Sequence, residues 1–288
     1  MTQPIILGAT GQVGQALARV WPAAAPRGIW QYRPGADRRT VAGFPGTAFS
    51  WDILAEPAPD LPPGASGMIV LAGVTGHDAK ALARNTDIAV AAVRAARAAG
   101  ISRVLVASTQ AVYGTGAARV SEADPCVPTA PYGRAKLEME VALAACPEVT
   151  CLRLGNVAGT DTLFRTAARH PVTLDRFADG TSPRRSYIGP VTLADVLLGL
   201  LDPGLGLPRV LNVANPGVLA MDDVLKAASL EFTYRAAPPD ALALLELDVT
   251  RLSGLVALPS ADPDRLIAEA RKGGWQPGGK RERGITPF

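Results

Sequence analysis

The sequence predicts an α/β fold, with a doubly wound parallel sheet of about seven strands and a smaller C-terminal lobe. Over the first half of the chain, short apolar segments alternate with helical patterns, which is typical of successive β-α-β units. Residues 68–72 form an uninterrupted apolar run, as expected of a central strand that helices cover on both faces. A glycine-rich segment at residues 8–14 follows the first apolar run and precedes an amphipathic helix.

The predicted elements follow in order along the chain. Residues 12–21 form the first helix, because apolar residues recur from Val13 at the spacing i, i+3, i+4, i+7 and i+8. A long alanine-rich helix spans about residues 85–99 and ends at Gly100. Pro131 opens a further helix, since proline is tolerated in a first helical turn. The predicted strands are residues 4–7, 28–32, 47–51, 68–72, 103–107, 149–154 and 210–213.

The chain divides into a sheet domain and a smaller lobe. Residues 1–156, completed by about 187–213, form the predicted sheet domain. Residues 157–186 and 214–288 are assigned to the smaller lobe, because neither segment keeps a β-α rhythm and both contain turn signals. The last segment, residues 272–288, is rich in glycine, proline and charge, and we expect it to be loosely ordered unless Trp275 is held in place.

Composition excludes several classes of protein. A content of 48% hydrophobic and 19% charged residues is ordinary for a soluble globular chain. The net charge of +3 is too small to predict binding to nucleic acid or to an anionic membrane. No apolar run approaches the roughly 18 residues that a membrane span needs, and the N-terminus lacks the basic region of a secretory signal. We therefore expect a cytoplasmic protein with a small-molecule partner.

Cysteines and histidines are few and scattered. Cys126, Cys146 and Cys151 have no metal-ligand spacing and are expected to be reduced thiols. His77 and His170 stand far apart. The sequence therefore predicts no metal site and no histidine base.

The glycines at positions 8, 11 and 14 predict a Rossmann-type dinucleotide-binding loop. Gly8 permits the tight turn out of the strand, and Gly11 lets a pyrophosphate approach the backbone. Gly14 lets the helix pack closely on the sheet, so that its N-terminal amides face the phosphates. Such turns also occur for steric reasons alone, but here both flanking elements are present. The predicted cofactor contacts in the loop are Gly8, Thr10, Gly11, Gln12, Val13 and Gly14.

The end of the second strand favours NADP over NAD. An NAD site usually carries Asp or Glu there to bind the ribose 2′-hydroxyl. This chain has Arg33, with Arg38 and Arg39 close behind and no carboxylate before Asp37. An arginine pairs with a 2′-phosphate, which a carboxylate would repel. NAD stays open, with Arg33 as a solvated loop charge and Asp37 reaching the ribose.

Asp52 and Ile53 follow the third strand and are predicted to lie at the adenine. The carboxylate of Asp52 can accept a hydrogen bond from the adenine amino group. The alternative is that Asp52 only caps a turn.

Tyr132 and Lys136 are four residues apart and therefore share one face of a helix. A free phenol has a pKa of about 10, and an ammonium one turn away is expected to lower it. The same ammonium can donate to the nicotinamide ribose. Tyr132 then exchanges a proton with a substrate oxygen as hydride moves to or from the cofactor. Thr109, at the end of the fifth strand, is predicted to hold that oxygen.

Ordered motifs recur over nearly the whole chain. They are residues 8–14, Leu71-Ala72-Gly73, Asn85, residues 108–114, residues 132–136, residues 152–159 and residues 185–188. In this combination the chain resembles the extended short-chain dehydrogenases/reductases of the NAD-dependent epimerase/dehydratase family.

The resemblance implies a set of roles. Tyr132 is the acid/base, Lys136 is its partner and Thr109 binds the substrate oxygen. Asn85 would be catalytic by supporting the fourth and fifth strands and a proton-relay water. Further cofactor contacts are implied at Leu71, Ala72, Gly73 and Asn156, and substrate contacts at Thr75, Gln110, Asn156 and Arg185. The resemblance also implies that the smaller lobe is the substrate lobe and that the active site lies between the two lobes. A homodimer formed through a helix bundle is common in the family and is expected here.

Departures from the family pattern leave the substrate open. Asn156 and Arg185 match residues that hold the substrate diphosphate in sugar-nucleotide epimerases. However, residues 189–192 are Gly-Pro-Val-Thr where those enzymes usually have His-Val-x-Asp, and no second arginine completes the clamp. Residues 11–14 and 132–137 resemble the deoxysugar-nucleotide reductases. A dehydratase is disfavoured, because it typically needs a pair such as Asp-Glu where this chain has Gln110 and Ala111.

The sequence therefore predicts an NAD(P)-dependent oxidoreductase or epimerase that acts on a carbonyl or hydroxyl of a sugar nucleotide or similar small metabolite. The alternative is a non-catalytic NAD(P)-binding sensor or regulatory protein on the same fold. Retention of Tyr132 and Lys136 favours the enzyme. An RNA-binding or scaffold role would have no basic patch beyond residues 280–283.

Overall fold

The predicted strands assemble into one seven-stranded parallel sheet, which confirms the fold class. The computed structural model describes residues 3–62, 64–116 and 118–277. The central sheet consists of the first five strands together with the seventh and twelfth, and all its neighbouring pairs are parallel. The strands are β1 (Ile5–Leu7), β2 (Gly28–Tyr32), β3 (Gly46–Ser50), β4 (Met68–Val70), β5 (Val104–Thr109), β6 (Arg119–Val120), β7 (Val149–Leu154), β8 (Asn156–Val157), β9 (Val172–Arg176), β10 (Arg184–Arg185), β11 (Tyr187–Ile188), β12 (Val210–Val213), β13 (Leu219–Ala220), β14 (Phe232–Ala236) and β15 (Leu244–Leu247).

The order of the central sheet, β3-β2-β1-β4-β5-β7-β12, places a crevice beside β1. Every residue of β1, β2 and β4 is buried, whereas the edge strand β3 is largely exposed. The chain winds outward in both directions from the β1–β4 pair. Ligands of open α/β sheets bind at such a switch point, outside the carboxyl ends of the strands.

The helix boundaries match the sequence prediction at two of three long helices. The second helix is longer than predicted, starting at Ala79 instead of residue 85, because Asp78 caps it by accepting from Ala81 N at 2.6 Å. It ends before Gly100, whose φ is +70°, as predicted. The third begins at Pro131, also as predicted. The helices are α1 (Gln12–Val20), α2 (Ala79–Ala98), α3 (Pro131–Leu143), α4 (Thr162–Ala167), α5 (Pro190–Leu200), α6 (Met221–Ala227), α7 (Thr250–Ser253) and α8 (Pro263–Lys272), with 3-10 turns at Arg38–Thr40 and Gln110–Tyr113.

Helices cover both faces of the central sheet. Leu17 of α1 and Leu193 of α5 belong to the core on one face. Val93 of α2 and Met139 of α3 belong to the core on the other face. Burial of two separate apolar faces is what makes the sheet doubly wound.

The remaining segments form three small sheets and share a third core. The sheets are β13-β10-β15-β6, β11-β8 and β14-β9. The third core combines Phe164, Leu174, Val224, Leu266 and Trp275 with neighbours from the same two segments and with Tyr187, at the start of β11. This shared core supports the predicted substrate lobe, whose boundaries stay a prediction.

Trp275 holds the chain in place beyond α8. Its side chain is buried, and its Nε1 donates to Phe164 O at 3.0 Å. The condition on which residues 272–288 were predicted to be ordered, that Trp275 is held in place, is therefore met as far as Trp275. Residues 278–288, including the basic stretch 280–283, lie outside the described residues. Within the described helices, none has both the length and the hydropathy to cross a bilayer.

Candidate active site

The glycine loop leaves no room for side chains at two of its three glycines. Gly8 has φ +90°, and a Cβ there would lie 2.5 Å from Ala72 N. A Cβ on Gly14 would lie 2.5 Å from Gly8 O, so the start of α1 packs directly on the turn. Gly11 is less constrained, with Gly8 O at 3.2 Å from a built Cβ. The loop therefore presents bare backbone to the crevice beside β1.

Gln31 fixes this loop, and the sequence analysis missed it. Its side chain is 1% exposed at the end of β2. Its Oε1 accepts from Gly8 N at 2.8 Å, and its Nε2 donates to Trp51 O at 2.6 Å. One buried amide thus joins the loop to β2 and to the end of β3. An amide inside an otherwise apolar strand was the available signal, because a buried amide needs partners.

A cleft opens from the loop along the carboxyl ends of β1, β2 and β4. Its lining includes residues predicted to bind cofactor, which are Gly8, Thr10, Gly11, Arg33, Asp52, Ile53, Leu71, Ala72 and Gly73. Lining residues that the sequence analysis did not identify are Gln31, Leu54, Val74, Arg84 and Ile88. Arg84 and Ile88 lie one turn apart on α2, but the predicted helix began only at about residue 85, so the sequence did not place Arg84 on it. Gln12, Val13 and Gly14 lie behind the lining, in α1.

At the end of β2, the charged side chain that lines the cleft is basic. Arg33 is exposed, lines the cleft and pairs with no carboxylate of the described residues. Arg39 instead binds Asp37, with Nη2 and Oδ2 3.0 Å apart. Hydrogen bonds from Arg39 lower the pKa of Asp37, which is not part of the cleft lining. The side chain of Arg38 lies outside the described set.

Asp52 makes the turn contact of one predicted alternative, and its contact with adenine stays a prediction. Its carboxylate lines the cleft, and its Oδ1 also accepts from Leu54 N at 3.2 Å. Its second oxygen remains available to a ligand in the cleft.

Lys136 and Asn85 lie at the inner end of the cleft. A Cβ on Gly73, a lining residue, would lie 2.7 Å from Asn85 Oδ1 and 3.4 Å from Lys136 Nζ. Asn85 is 1% exposed, accepts from Val74 N at 3.0 Å and donates to Val74 O at 3.0 Å. It therefore fixes the loop after β4, while its predicted support of the fifth strand and of a proton-relay water stays a prediction. Lys136 Nζ donates to Ala107 O at 2.8 Å.

The pKa of Tyr132 differs from the sequence-based expectation. Burial raises it to about 12, and no neighbouring charge offsets this effect. Lys136, which the sequence predicted would lower it, directs its ammonium to Ala107 O and Met139 Sδ. In the chain alone the phenol is therefore fully protonated at neutral pH.

Thr109 and Gln110 end β5 beside the loop after β7. Thr109 Oγ1 accepts from Ala111 N at 3.2 Å, which leaves its hydroxyl hydrogen free to donate. Gln110 is buried, and its Nε2 donates to Asn156 Oδ1 at 2.7 Å, while its Oε1 is buried without a partner. The structure thus brings Gln110 and Asn156 together. Thr75 lies exposed in the loop after β4.

Arg185 lies on β10 of the small lobe with no carboxylate paired to it among the described residues. Its guanidinium donates to Leu242 O at 2.6 Å and to Arg184 O at 2.8 Å. Burial lowers its pKa slightly below the ordinary arginine value. A guanidinium held only by carbonyls keeps its charge for an anionic ligand.

Packing against α8 explains why residues 189–192 differ from the pattern of the sugar-nucleotide epimerases. Glu269 of α8 is buried and accepts from Thr192 N and Thr192 Oγ1, both at 2.8 Å. A Cβ on Gly189 would lie 2.1 Å from Glu269 Oε2. Glycine and threonine therefore belong to the contact between α5 and α8. Among the described residues, no three His, Cys, Asp or Glu side chains are placed to hold a metal ion.

Asp161→Asn is expected to stabilise the protein at alkaline pH. Asp161 Oδ1 accepts from Phe164 N at 3.0 Å, its Oδ2 is buried without a partner, and burial raises its pKa to about 7. Between about pH 4 and 7 the folded chain holds a proton that the unfolded chain has lost, so stability falls as pH rises. Asparagine keeps the cap and removes the charge. We expect a gain of about 2–4 kcal/mol at pH 8 and little at pH 4, measured by urea unfolding.

Asp262→Asn is the matched control, because Asp262 caps α8 in the same way, accepting from Arg265 N at 2.7 Å, but is exposed. It should give no gain that grows with pH. An equal gain at pH 4 and pH 8 for Asp161→Asn would contradict the ionisation argument.

Comparisons with known proteins agree with this geometry. A sequence model described as "NAD dependent epimerase/dehydratase family" matches residues 5–183. No curated protein sequence matches the chain significantly. The chain is similar to the UDP-Glc/GlcNAc 4-epimerase from Campylobacter jejuni, with a TM-score of 0.75 and 20% identity over 95% of this chain and 98% of that one.

Two further solved structures are similar over nearly their whole length. One is a UDP-glucose-4-epimerase from Stenotrophomonas maltophila with bound NAD and formylated UDP-arabinopyranose, with a TM-score of 0.77 and 16% identity over 95% of this chain and 98% of that one. The other is an NAD dependent NDP-hexosamine 5,6-dehydratase involved in tunicamycin biosynthesis, with a TM-score of 0.71 and 20% identity over 94% and 98%. At these identities the likeness shows a shared fold.

Proposed function

The chain belongs to the NAD dependent epimerase/dehydratase family, and on this basis we propose that it is an NAD(P)-dependent oxidoreductase or epimerase. Its substrate is a carbonyl or hydroxyl group on a sugar nucleotide or a similar small metabolite. Solved structures of similar fold bind NAD together with UDP or a UDP-sugar, which supports this substrate class.

The observation that carries the proposal is the continuity of one cleft. The cleft begins at the bare backbone of the glycine loop and ends at Gly73, where a Cβ would lie 3.4 Å from Lys136 Nζ. Glycines 8 and 14 can bear no side chain, which fits a site built for close approach of a pyrophosphate. A dinucleotide extended along this cleft would reach the amine of the Tyr132/Lys136 pair.

A bound nicotinamide dinucleotide supplies the hydride acceptor or donor, and the chain supplies the proton and the positioning. Tyr132 gives a proton to the substrate oxygen or takes one from it. Thr109 donates its free hydroxyl hydrogen to the same oxygen. Lys136 uses two of its three hydrogen-bond donors on Ala107 O and Met139 Sδ, which leaves one for the ribose.

Arg185, Asn156 and Gln110 are proposed to bind the substrate. Arg185 offers a guanidinium without a paired carboxylate, as a diphosphate requires. Gln110 and Asn156 form one hydrogen-bonded unit beside Thr109, and Gln110 Oε1 has no partner. These features favour a diphosphate-bearing sugar with a donor group near Gln110.

The reaction proposed is epimerisation or net reduction. Dehydration is disfavoured because Gln110 and Ala111 have no acid/base group beside Thr109. A homodimer is also part of the proposal, since α2 and α3 pack side by side and leave Val141 of α3 68% exposed.

The experiment that tests the function is a fluorescence titration with NADH and NADPH, followed by turnover on a panel of nucleoside-diphosphate sugars and small carbonyl compounds. Saturable binding with turnover of a nucleotide sugar supports the proposal. Binding of neither cofactor contradicts it. Binding without turnover of any compound supports the sensor alternative.

Arg33→Ala is expected to weaken NADPH binding about 10–100-fold and to leave NADH binding nearly unchanged. The reason is loss of a charged hydrogen bond to the 2′-phosphate, a contact worth about 1.5–3 kcal/mol. Fluorescence titration measures both affinities. Arg39→Ala is the matched control, because Arg39 is exposed and forms a salt bridge with Asp37. It should change neither the NADH affinity nor the NADPH affinity. Equal loss of NADH and NADPH binding in Arg33→Ala would refute the preference for NADP.

A further inference from the structure

Glu140 is a buried carboxylate on the same face of α3 as the proposed catalytic pair. Tyr132, Lys136 and Glu140 are spaced by four residues, so they follow one another along the helix. Glu140 is 6% exposed and Lys136 is 4% exposed. Burial of a charge is costly unless it is compensated, and the proposed reaction does not use Glu140.

The carboxylate of Glu140 is compensated from two strands of the central sheet. Arg153 on β7 donates from Nη2 to Oε2 at 2.7 Å and from Nε to Oε2 at 3.1 Å. Ser108 on β5 donates its hydroxyl to Oε1. Ser108 directly precedes Thr109, so one carboxylate ties α3 to the strand end that carries the proposed substrate contact.

Arg153 is itself fixed on its far side. Its Nη1 donates to Tyr113 OH at 2.9 Å, and its guanidinium lies 4.8 Å above the centre of the Tyr113 ring. Tyr113 OH in turn donates to Asn212 Oδ1 on β12 at 2.7 Å. The guanidinium therefore cannot turn away from Glu140 without breaking this chain of contacts.

No carboxylate of the residues that the structure describes is in direct contact with Lys136. Its hydrogen-bond acceptors, Ala107 O and Met139 Sδ, are uncharged. Burial lowers its pKa to about 8, while Glu140 on α3 and Cys151 on β7 favour the charged form.

Among the groups around Lys136, Glu140 is the one that carries the opposite charge. Burial raises the pKa of Cys151 and of Tyr132 to about 12, so both are neutral. Asn85 of α2 is neutral, and Arg153 carries a positive charge that is paired with Glu140. The Glu140 carboxylate is therefore the anion among these groups that favours Lys136 in its charged form.

We propose that Glu140 is a positioning residue, which keeps the Lys136 ammonium charged and fixes α3 against the end of β5. Its kinetic consequence rests on the proposed function. Its effect on Lys136 does not, since it requires no cofactor or substrate.

The test is a ¹³Cε NMR titration of lysine-labelled protein, assigned with Lys136→Met, for the wild type and for Glu140→Gln. Loss of the carboxylate leaves Arg153 uncompensated, so the Lys136 midpoint should fall by about one pH unit. Glu138→Gln is the matched control, because Glu138 is exposed on the same helix, and it should leave the midpoint unchanged. An unchanged midpoint in folded Glu140→Gln overturns the proposal.

The double variant Glu140→Gln/Arg153→Met keeps the test decisive if Glu140→Gln does not fold, because replacing both partners of a buried pair is tolerated better than removing one. Its midpoint should lie below that of the wild type but by less than in the single variant. A midpoint at or above the wild-type value overturns the proposal.

Kinetics separate this proposal from the proposed function. If the enzyme turns over, the alkaline limb of kcat/KM should move to lower pH in Glu140→Gln, by the same amount as the NMR midpoint. A uniform loss of kcat with an unmoved limb indicates a purely structural role and overturns the proposal. If the wild type neither binds cofactor nor turns over, the proposed function fails, and the NMR titration still decides the role of Glu140.

Discussion

Tyr132→Phe is expected to lower kcat by about 10²–10⁴-fold, the usual contribution of a positioned proton donor or acceptor. The substitution removes the phenol oxygen and keeps the ring that packs in the half-buried site. KM and the cofactor affinity should change little, because the loop and cleft that bind the dinucleotide are formed by other residues. Steady-state kinetics with the best substrate of the panel, together with a cofactor titration, measure the three quantities.

Tyr234→Phe is the control for this substitution. Tyr234 is exposed on β14, and its hydroxyl donates to Asp222 Oδ2 at 3.0 Å, in the small lobe. Its kcat should equal that of the wild type. A Tyr132→Phe enzyme as fast as the wild type would remove Tyr132 from the proton transfer and leave the cofactor site untouched.

The raised pKa of Tyr132 sharpens this expectation. With a pKa of about 12 in the chain alone, Tyr132 is ready to donate a proton but poorly suited to accept one. The reducing direction needs a donor, and the oxidising direction needs an acceptor. We therefore expect reduction of a carbonyl to be the faster half-reaction at neutral pH, in keeping with the proposed preference for NADP.

The central sheet could be predicted because its signals are local. Most of its strands contain a recognisable apolar run, and the turn from β1 to α1 shows its glycine spacing within seven residues. By contrast, the small lobe contains strands of two residues, such as β8, β10, β11 and β13. Backbone pairing with distant segments defines these strands, and two residues carry no periodicity that a sequence pattern could detect.

Residues of the candidate site that come after strand ends could be predicted. Residues whose roles depend on tertiary contacts could not. Arg33, Asp52 and Gly73 come directly after strands and do line the cleft. Gln31 and Arg84 were missed, because their roles depend on which neighbour the fold brings to them. The pKa of Tyr132 was mispredicted for the same reason, since helical spacing shows that Lys136 is near but not that its ammonium points to Ala107 O.

Gly8→Ala is expected to abolish saturable cofactor binding and to destabilise the fold by about 3 kcal/mol or more. Two costs combine at this position. A φ of +90° is unfavourable for any residue with a Cβ, at about 1 kcal/mol or more. The added methyl would also lie 2.5 Å from Ala72 N and 2.8 Å from Ala72 Cα, which are backbone atoms that cannot move aside. Thermal unfolding and a fluorescence titration measure the two effects.

Gly35→Ala separates the two costs. Gly35 has nearly the same backbone angle, φ +82°, but a Cβ there would meet no atom within 4 Å. The loss of stability in Gly35→Ala therefore measures only the cost of the positive φ. The cofactor affinity of this variant should stay close to that of the wild type. The additional loss of stability in Gly8→Ala then measures the cost of the close contact between the glycine loop and the end of β4. The same close contact shapes the cleft. Equal loss in the two variants would mean that the loop can move away from β4, and the bare-backbone account of the cofactor site would be wrong.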